Sequence, residues 1–236
     1  MTDSANLTSP VAHARAGQTM SGAEMIMQVL ADEGVKAIFG YGGGAILPTY
    51  DAVFIFNEAQ RRAGGQEIPL IVPANEQGAG FMAAGYARAS GQVGVCLVTS
   101  GPGATNTVTP VRDCTADSVP IVVICGQVPT AAIGTDAFQE APVAALMGPV
   151  AKHVFLVTDP KRLEATMRTA FEIARTGRPG PVVVDIPKDV QNWQGVFRGA
   201  GLLPLPGFRR RSAELAARTL SAEQRAAFVE LLSESQ

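Results

Sequence analysis

The stretch I-P-L-I-V-P-A-N-E-Q-G-A-G, Ile68 to Gly80, sets an apolar run directly against a helix start. The run stops at Pro73, which has no N–H to continue a ladder, and a helical pattern rich in small residues begins at Asn75. Glu76 therefore stands at the mouth of a helix, just beyond the end of a strand. A carboxylate there either compensates the helix dipole or takes part in chemistry. Its neighbours Ala74, Gly78, Ala79, Gly80 and Phe81 are small or apolar, which predicts partial desolvation.

Working outward, the same alternation repeats. Ser21 and Glu24 form a capping-box pattern ahead of Met25, Ile26, Val29 and Leu30, and Gly34 supplies a terminator. A short strand from Lys36 to Phe39 runs into Gly40-Tyr41-Gly42-Gly43-Gly44, and a helix follows over Leu47 to Arg62. Beyond the Glu76 helix, Gly94 to Thr99 is a continuous apolar run ending in S-G-P-G-A-T-N, Ser100 to Asn106, and a helix to Asp117. Pro120 to Cys125, Val154 to Val157 and Gly180 to Ile186 read as further strands, with a helix opened by Asp159-Pro160 between the last two.

Apolar strands alternating with helices predict an α/β fold, a parallel sheet covered by helices on both faces. In such sheets ligands bind beyond the carboxyl ends of the strands. The polar and Gly-rich segments after the strands (Gly40–Gly44, Asn75–Gly80, Ser100–Asn106, Gly126–Gln139, Lys188) should gather there. We expect a disordered tail over 1–19, the main domain over 20–190 and a Gly/Pro-rich linker over 191–210. A helical extension over 211–236, its second helix starting at Ser221, completes the chain.

Composition narrows the function. The 236 residues are 47% hydrophobic and 17% charged with a net charge of −2, and no basic block is denser than Arg209-Arg210-Arg211, which argues against a nucleic-acid or membrane-surface role. No apolar run approaches the roughly 18 residues of a membrane span, and the first residues lack the apolar core of a secretory signal. Cys96, Cys114 and Cys125 lie at no metal-ligand spacing, and His13 and His153 are isolated. Buried free thiols in a reducing cytoplasm are expected.

Two phosphate-binding patterns are incomplete. Gly40-x-Gly42-x-x-Ala45 fits a dinucleotide fingerprint, but no acidic residue follows at the required spacing on a second strand tip. The Pro102 turn resembles a phosphate cradle without the Lys-Ser/Thr of a P-loop.

Taken together, however, Y-G-G-G-A, N-E-Q-G-A-G-F-M-A-A-G-Y-A-R-A-S-G, V-T-S-G-P-G-A-T-N, D-S-V-P-I-V-V-I-C-G-Q-V-P, I-G-T-D-A-F-Q-E and R-P-G-P-V-V-V-D-I-P-K-D-V-Q, in this order, resemble the N-terminal pyrimidine-binding domain of thiamine-diphosphate enzymes. Within that group they are most similar to the acetolactate (acetohydroxyacid) synthase catalytic subunit, over Met20 to Gln194. The resemblance implies decarboxylation of pyruvate and condensation with a second 2-keto acid in branched-chain amino-acid biosynthesis. It implies that Glu76 is the cofactor-activating glutamate, that Pro102 and Asn106 lie against the pyrimidine, and that Gln139 faces the reacting centre. Gly44 and Phe138 would line substrate entry, with Lys152 and Lys188 near the channel, and Ser118 and Arg178 would touch FAD.

Asn75 stands where the family often has histidine, and Thr130-Ala131-Ala132 replaces a stretch that often carries arginines, leaving the second substrate open. The resemblance also implies a flavin-binding middle domain and a diphosphate-binding domain with a Gly-Asp-Gly…Asn motif for magnesium. No Gly-Asp-Gly occurs among the 236 residues, so no metal ligand is expected in this chain. Half a site is expected, completed by a homo-oligomer or a partner chain, with a regulatory small subunit as a further partner. The alternative is a non-catalytic domain that folds and associates without turnover.

Overall fold

The computed structural model describes residues 13–207, 210, 211, 213 and 220–234. Six strands form one parallel sheet: β2 (Ile38–Tyr41), β3 (Leu70–Ile71), β4 (Gly94–Val98), β5 (Ile121–Gln127), β6 (His153–Leu156) and β7 (Val182–Pro187), in the order β3-β2-β4-β5-β7-β6. From β2 the chain moves outward to β3 and then back across to β4. That reversal opens a crevice at the carboxyl ends of β2 and β4, where ligands bind in open α/β sheets.

The central strands β4, β5 and β7 are buried along their whole length, as expected of strands covered on both faces. Cys96, Val98, Ile121, Val123, Cys125 and Val183 pack into one core cluster with the alanines of α3 (Glu76–Ser90), Val111 and Cys114 of α5 (Val108–Asp117), and Val143 and Met147 of α6 (Val143–Met147). The alternate residues Val95, Leu97, Val122, Ile124, Val182 and Val184 are equally buried and point the other way. On that side lie α1 (Gly22–Asp32), α2 (Leu47–Ala63) and α7 (Leu163–Arg175).

Local chemistry explains the element ends. Ser21 and Glu24 form the complete capping box of α1, and Gly91 ends α3 in the left-handed conformation at φ 71°. The apolar run at Ile68–Val72 yields only two paired residues, Leu70 and Ile71, on the sheet edge. Pro69 and Pro73 flank them, and proline confines a strand to an edge.

Two domain boundaries need correction. The segment expected as tail is described from His13 onward. Thr19–Ser21 is a strand, β1, paired antiparallel with Gln194–Val196, β8, inside the expected linker. Between β7 and β8 runs α8 (Lys188–Asn192). His13 donates from Nε2 to Asp32 at 3.0 Å, Arg168 donates to the other Asp32 oxygen at 2.6 Å, and Phe197 is fully buried beneath both. The rest of the expected tail, 1–12, lies outside the described residues.

The chain divides into two units, Met1–Leu203 and Pro204–Gln236. In the second, a helix over Ala222–Glu234 starts from a capping box in which the Ser221 hydroxyl accepts from the Gln224 amide and the Gln224 side chain accepts from the Ser221 amide. The first helix of the expected extension falls largely outside the described residues. Among the described residues no helix is long and apolar enough to cross a membrane.

One residue in the sheet works against stability. Asp185 on β7 is 2% exposed; its Oδ2 accepts from Gln127 Nε2 at 3.0 Å, and among the described residues its Oδ1 has no partner. Burial pushes its pKa up from 3.8 to about 7, against a smaller lowering from the Gln127 hydrogen bond. The folded state thus holds this proton up to about pH 7, while the unfolded chain releases it near 3.8. Stability contributed at this position is present at low pH, is lost as pH rises between those values, and then levels off. Each pH unit in that window costs up to about 1.4 kcal/mol. In urea unfolding between pH 5 and 8, Asp185→Asn should remove this slope and gain on the wild type as pH rises; parallel pH profiles would contradict it.

Candidate functional site

Parallel pairing brings the loops after β2, β3, β4, β5 and β7 to one edge, and their contacts show that they interlock. After β2, the Ala45 amide donates to Thr99 Oγ1 at 3.3 Å, while Gln191 Nε2 donates to the Ala45 carbonyl at 2.8 Å. Gln191 is fully buried and also accepts from Thr49 Oγ1 at 2.9 Å, joining α2 to α8. After β5, Thr130 donates from its amide (3.0 Å) and its hydroxyl to the Asp189 carboxylate. Burial raises the pKa of that carboxyl, but the Thr130 hydrogen bonds, with those of the Asp189 and Val190 amides, outweigh it and hold the group below its ordinary value.

Glu76 is the first residue of α3, with Asn75 as N-cap accepting from the Gly78 amide at 2.8 Å. Its side chain is buried to 9% exposure, and Asn106 Nδ2 donates to Oε2 at 2.9 Å. Among the described residues its other oxygen takes no hydrogen bond, so the carboxylate keeps acceptor capacity at the rim. Beneath it lie Tyr50 and Cys96, both pushed well above their ordinary pKa, chiefly by burial and further by the Glu76 charge. Tyr50 donates its hydroxyl to the Leu97 carbonyl at 3.2 Å.

Asn106 ends α4 (Pro102–Asn106), which starts with Pro102. The turn before it depends on Gly101, at φ 55° and ψ −113°, a region essentially closed to other residues. A Cβ there would lie 2.4 Å from the Gln139 carbonyl oxygen. The α4 turn and the loop 128–141 therefore touch backbone to backbone. That loop carries Gln139 at φ 58° and Phe138 at 88% exposure. The Glu140 carboxylate accepts from the Gly134 and Ala137 amides, and these bonds hold its pKa below the ordinary value.

The structure brings Gly44, Glu76, Pro102, Asn106, Phe138, Gln139 and Lys188 to the carboxyl edge and leaves three candidates elsewhere. Arg178 donates to Ser118 Oγ at 2.8 Å and to the Thr115 and Ala116 carbonyls at the end of α5, before β5 begins. Lys152 precedes β6, and its ammonium is engaged by the Ile173 and Thr176 carbonyls (2.6 Å to Thr176) at the end of α7. Lys152 and Lys188, both expected near the channel, sit at opposite ends of the strands, so the structure does not bring them together. Burial lowers the Lys152 pKa.

Comparison with known proteins decides the family. The model of the thiamine pyrophosphate enzyme N-terminal TPP binding domain matches residues 20–146. The chain belongs to the thiamine pyrophosphate enzyme family. It is 46% identical over 194 residues to the acetolactate synthase large subunit of Corynebacterium glutamicum, a match covering 82% of this chain and 30% of that protein. It is 51% identical over 180 residues to the mitochondrial acetolactate synthase catalytic subunit of Aspergillus candidus, covering 76% and 24%. With the acetolactate synthase large subunit of Haemophilus influenzae the figures are 52% over 173 residues, covering 73% and 29%. The chain thus spans 24–30% of the length of these relatives.

The residues of this thiamine pyrophosphate enzyme domain fit the pyrimidine end of such a cofactor. A desolvated carboxylate with one oxygen fixed and one free to accept suits a protonated ring nitrogen, and its position on a helix start keeps it rigid. Sequence reading missed Tyr50, Thr99, Gln127, Asp185 and Gln191 as parts of this edge. Of these, only Asp185 carries a signal, as a lone charge within V-V-V-D-I-P.

Gly101→Ala should cost about 1–3 kcal/mol in backbone strain alone and displace Gln139. Urea unfolding should show the loss, with faster amide exchange at Ala137 and Glu140; wild-type values for both would contradict the backbone contact.

Proposed function

We propose that this chain supplies the cofactor-activating half of an acetolactate synthase. That enzyme decarboxylates pyruvate and joins the remaining two-carbon unit to a second 2-keto acid, on the route to valine, leucine and isoleucine. The observation that carries the reading is Glu76 at the α3 start, half-satisfied by Asn106 of the α4 turn, whose Gly101 packs against the Gln139 backbone. The acetolactate synthase names of the relatives support it.

Thiamine diphosphate, when bound, supplies an electron sink for decarboxylating a 2-keto acid. Glu76 has the proton-sharing role: a carboxyl can both accept a hydrogen bond from a ring nitrogen and exchange its proton. Asn106 holds one oxygen of that carboxyl so that the other stays aimed at the ligand. Pro102 offers a rigid apolar surface beside it, and Gln139 and Phe138 stand where substrate would approach, with Gly44 and Lys188 bordering the same edge.

FAD is proposed to touch the Ser118–Arg178 pair, and magnesium to be held by a diphosphate-binding half rather than by residues of this chain. That half comes from a second copy or a partner chain, and a regulatory small subunit is proposed as a further partner. Phe54, Ile55, Val72, Phe81 and Met82 are exposed on α2, α3 and the segment after β3. Apolar exposure of this extent beside a site supports a covered interface. Three buried free cysteines suit a reducing compartment, and we place the protein in the cytoplasm.

The decisive variant is Glu76→Gln in the assembled enzyme. An amide can hold the ring but cannot share its proton, so thiamine diphosphate should bind within about threefold of wild type. Turnover should fall about a hundredfold or more, at the scale of lost proton-transfer catalysis. Acetolactate formation near the wild-type rate would overturn the assignment.

A further inference from the structure

The central carboxyl of β7 has no place in the chemistry above, yet its contacts lead to the site loop. We propose that Asp185 is a positioning residue for the cofactor edge: its buried carboxyl holds the Gln127 side-chain amide, and through that amide both ends of the loop bearing Phe138 and Gln139.

Gln127 is 2% exposed at the end of β5, so its amide is cut off from water. Its Nε2 donates to Asp185 Oδ2 at 3.0 Å and to the Ala141 carbonyl at 3.1 Å, and its Oε1 accepts from the Val128 amide at 2.8 Å. Val128 opens the loop and Ala141 closes it, so one side chain joins the two ends. Within the loop the Glu140 carboxylate gathers the Gly134 and Ala137 amides, and Gly101 fits against the Gln139 backbone. The piece between the ends is therefore pre-shaped, and its placement depends on the clamp at its base.

Asp185 adds the third contact that holds the orientation of that amide. Turned over, Gln127 would set its oxygen against the Ala141 carbonyl and its nitrogen against the Val128 N–H, losing both bonds. A carboxyl acceptor beside Nε2 keeps the working orientation. A valine in its place would leave one buried Nε2–H unpartnered, so the amide would leave its position to find another acceptor. The neighbours Val183 and Val184 show that valine suits this strand, and the wild-type carboxyl is itself a burden on stability. The clamp can therefore be lost without loss of the fold.

The inference rests on the proposed function, which gives Phe138 and Gln139 their roles. Its test compares Asp185→Val, Asp185→Asn and Gln127→Met in the full chain by amide hydrogen exchange. In Asp185→Val the amides of Val128, Gly134, Ala137 and Glu140 should exchange about tenfold faster, while those of Val95–Val98 and Val122–Ile124 exchange no faster than in the wild type. Asp185→Asn keeps an oxygen for Gln127 and should stay within about twofold of wild type. Gln127→Met removes the amide with Asp185 intact and should loosen the same four amides, whether or not Asp185→Val folds. In the assembled enzyme, loosened variants should lose about tenfold in kcat with KM for pyruvate within about twofold. Unchanged loop exchange, loop and core amides loosening together, or an unchanged kcat would each overturn the proposal. If Glu76→Gln also keeps its turnover, the functional reading has failed, and the exchange data still judge the clamp.

Discussion

All-parallel hydrogen bonding leaves a polypeptide no choice about where its connections emerge: every strand from β2 to β7 delivers its carboxyl end to the same edge. Loops crowded there have few regular ladders of their own, yet their backbone groups still need partners. They find them in one another. Gln191 and Thr99 hold the β2 loop, Asp189 holds the start of the β5 loop, and Gln127 holds both its ends. The edge becomes rigid because each loop completes the hydrogen bonding of another. Glu76 gains a second kind of rigidity from standing on the first turn of a helix packed along the sheet by alanines.

The opposite edge uses similar residues for a different end. There Arg178 and Lys152 donate to the last carbonyls of α5 and α7, where cations offset the negative ends of helix dipoles and satisfy orphan acceptors. Each charge is engaged by backbone that the chain itself supplies. At the carboxyl edge, by contrast, Phe138, Gln139, Gly44 and Pro102 are exposed and one Glu76 oxygen is left without a partner among the described residues. Unspent capacity, more than charge, separates a site from a cap.

This contrast explains which features could be read from the sequence. Strand and helix identity follow from periodicity, and the capping boxes at Ser21 and Ser221 are written in residues three apart. The convergence of Glu76 with Asn106 was also legible, since a parallel sheet needs no detailed packing to bring strand ends together. The place of Lys152 was not legible, because position near a strand does not say which end of the strand it serves. The boundaries failed at β1 and β8, where three-residue strands pair across 175 positions and local composition looks like tail and linker. Gln127 and Gln191 were invisible for another reason: a glutamine gives no sign in sequence of whether it is solvated or clamps two loops from within the core.

The two buried carboxyls of this edge make the physical distinction sharpest. Glu76 and Asp185 each accept from one side-chain amide at about the same distance, 2.9 and 3.0 Å, and each has a second oxygen without a partner among the described residues. Chemically they start as equals. Asp185 lies within β7, between β5 and β6 and inward of the strand end, so burial favours its protonated form and its link to the edge runs through Gln127. Glu76 lies at the mouth of the crevice between strand ends, where a ligand nitrogen can complete the hydrogen bonding that the protein leaves undone. On the roles proposed above, a like shortage of partners serves positioning in the interior and chemistry at the rim, and depth below the surface separates the two.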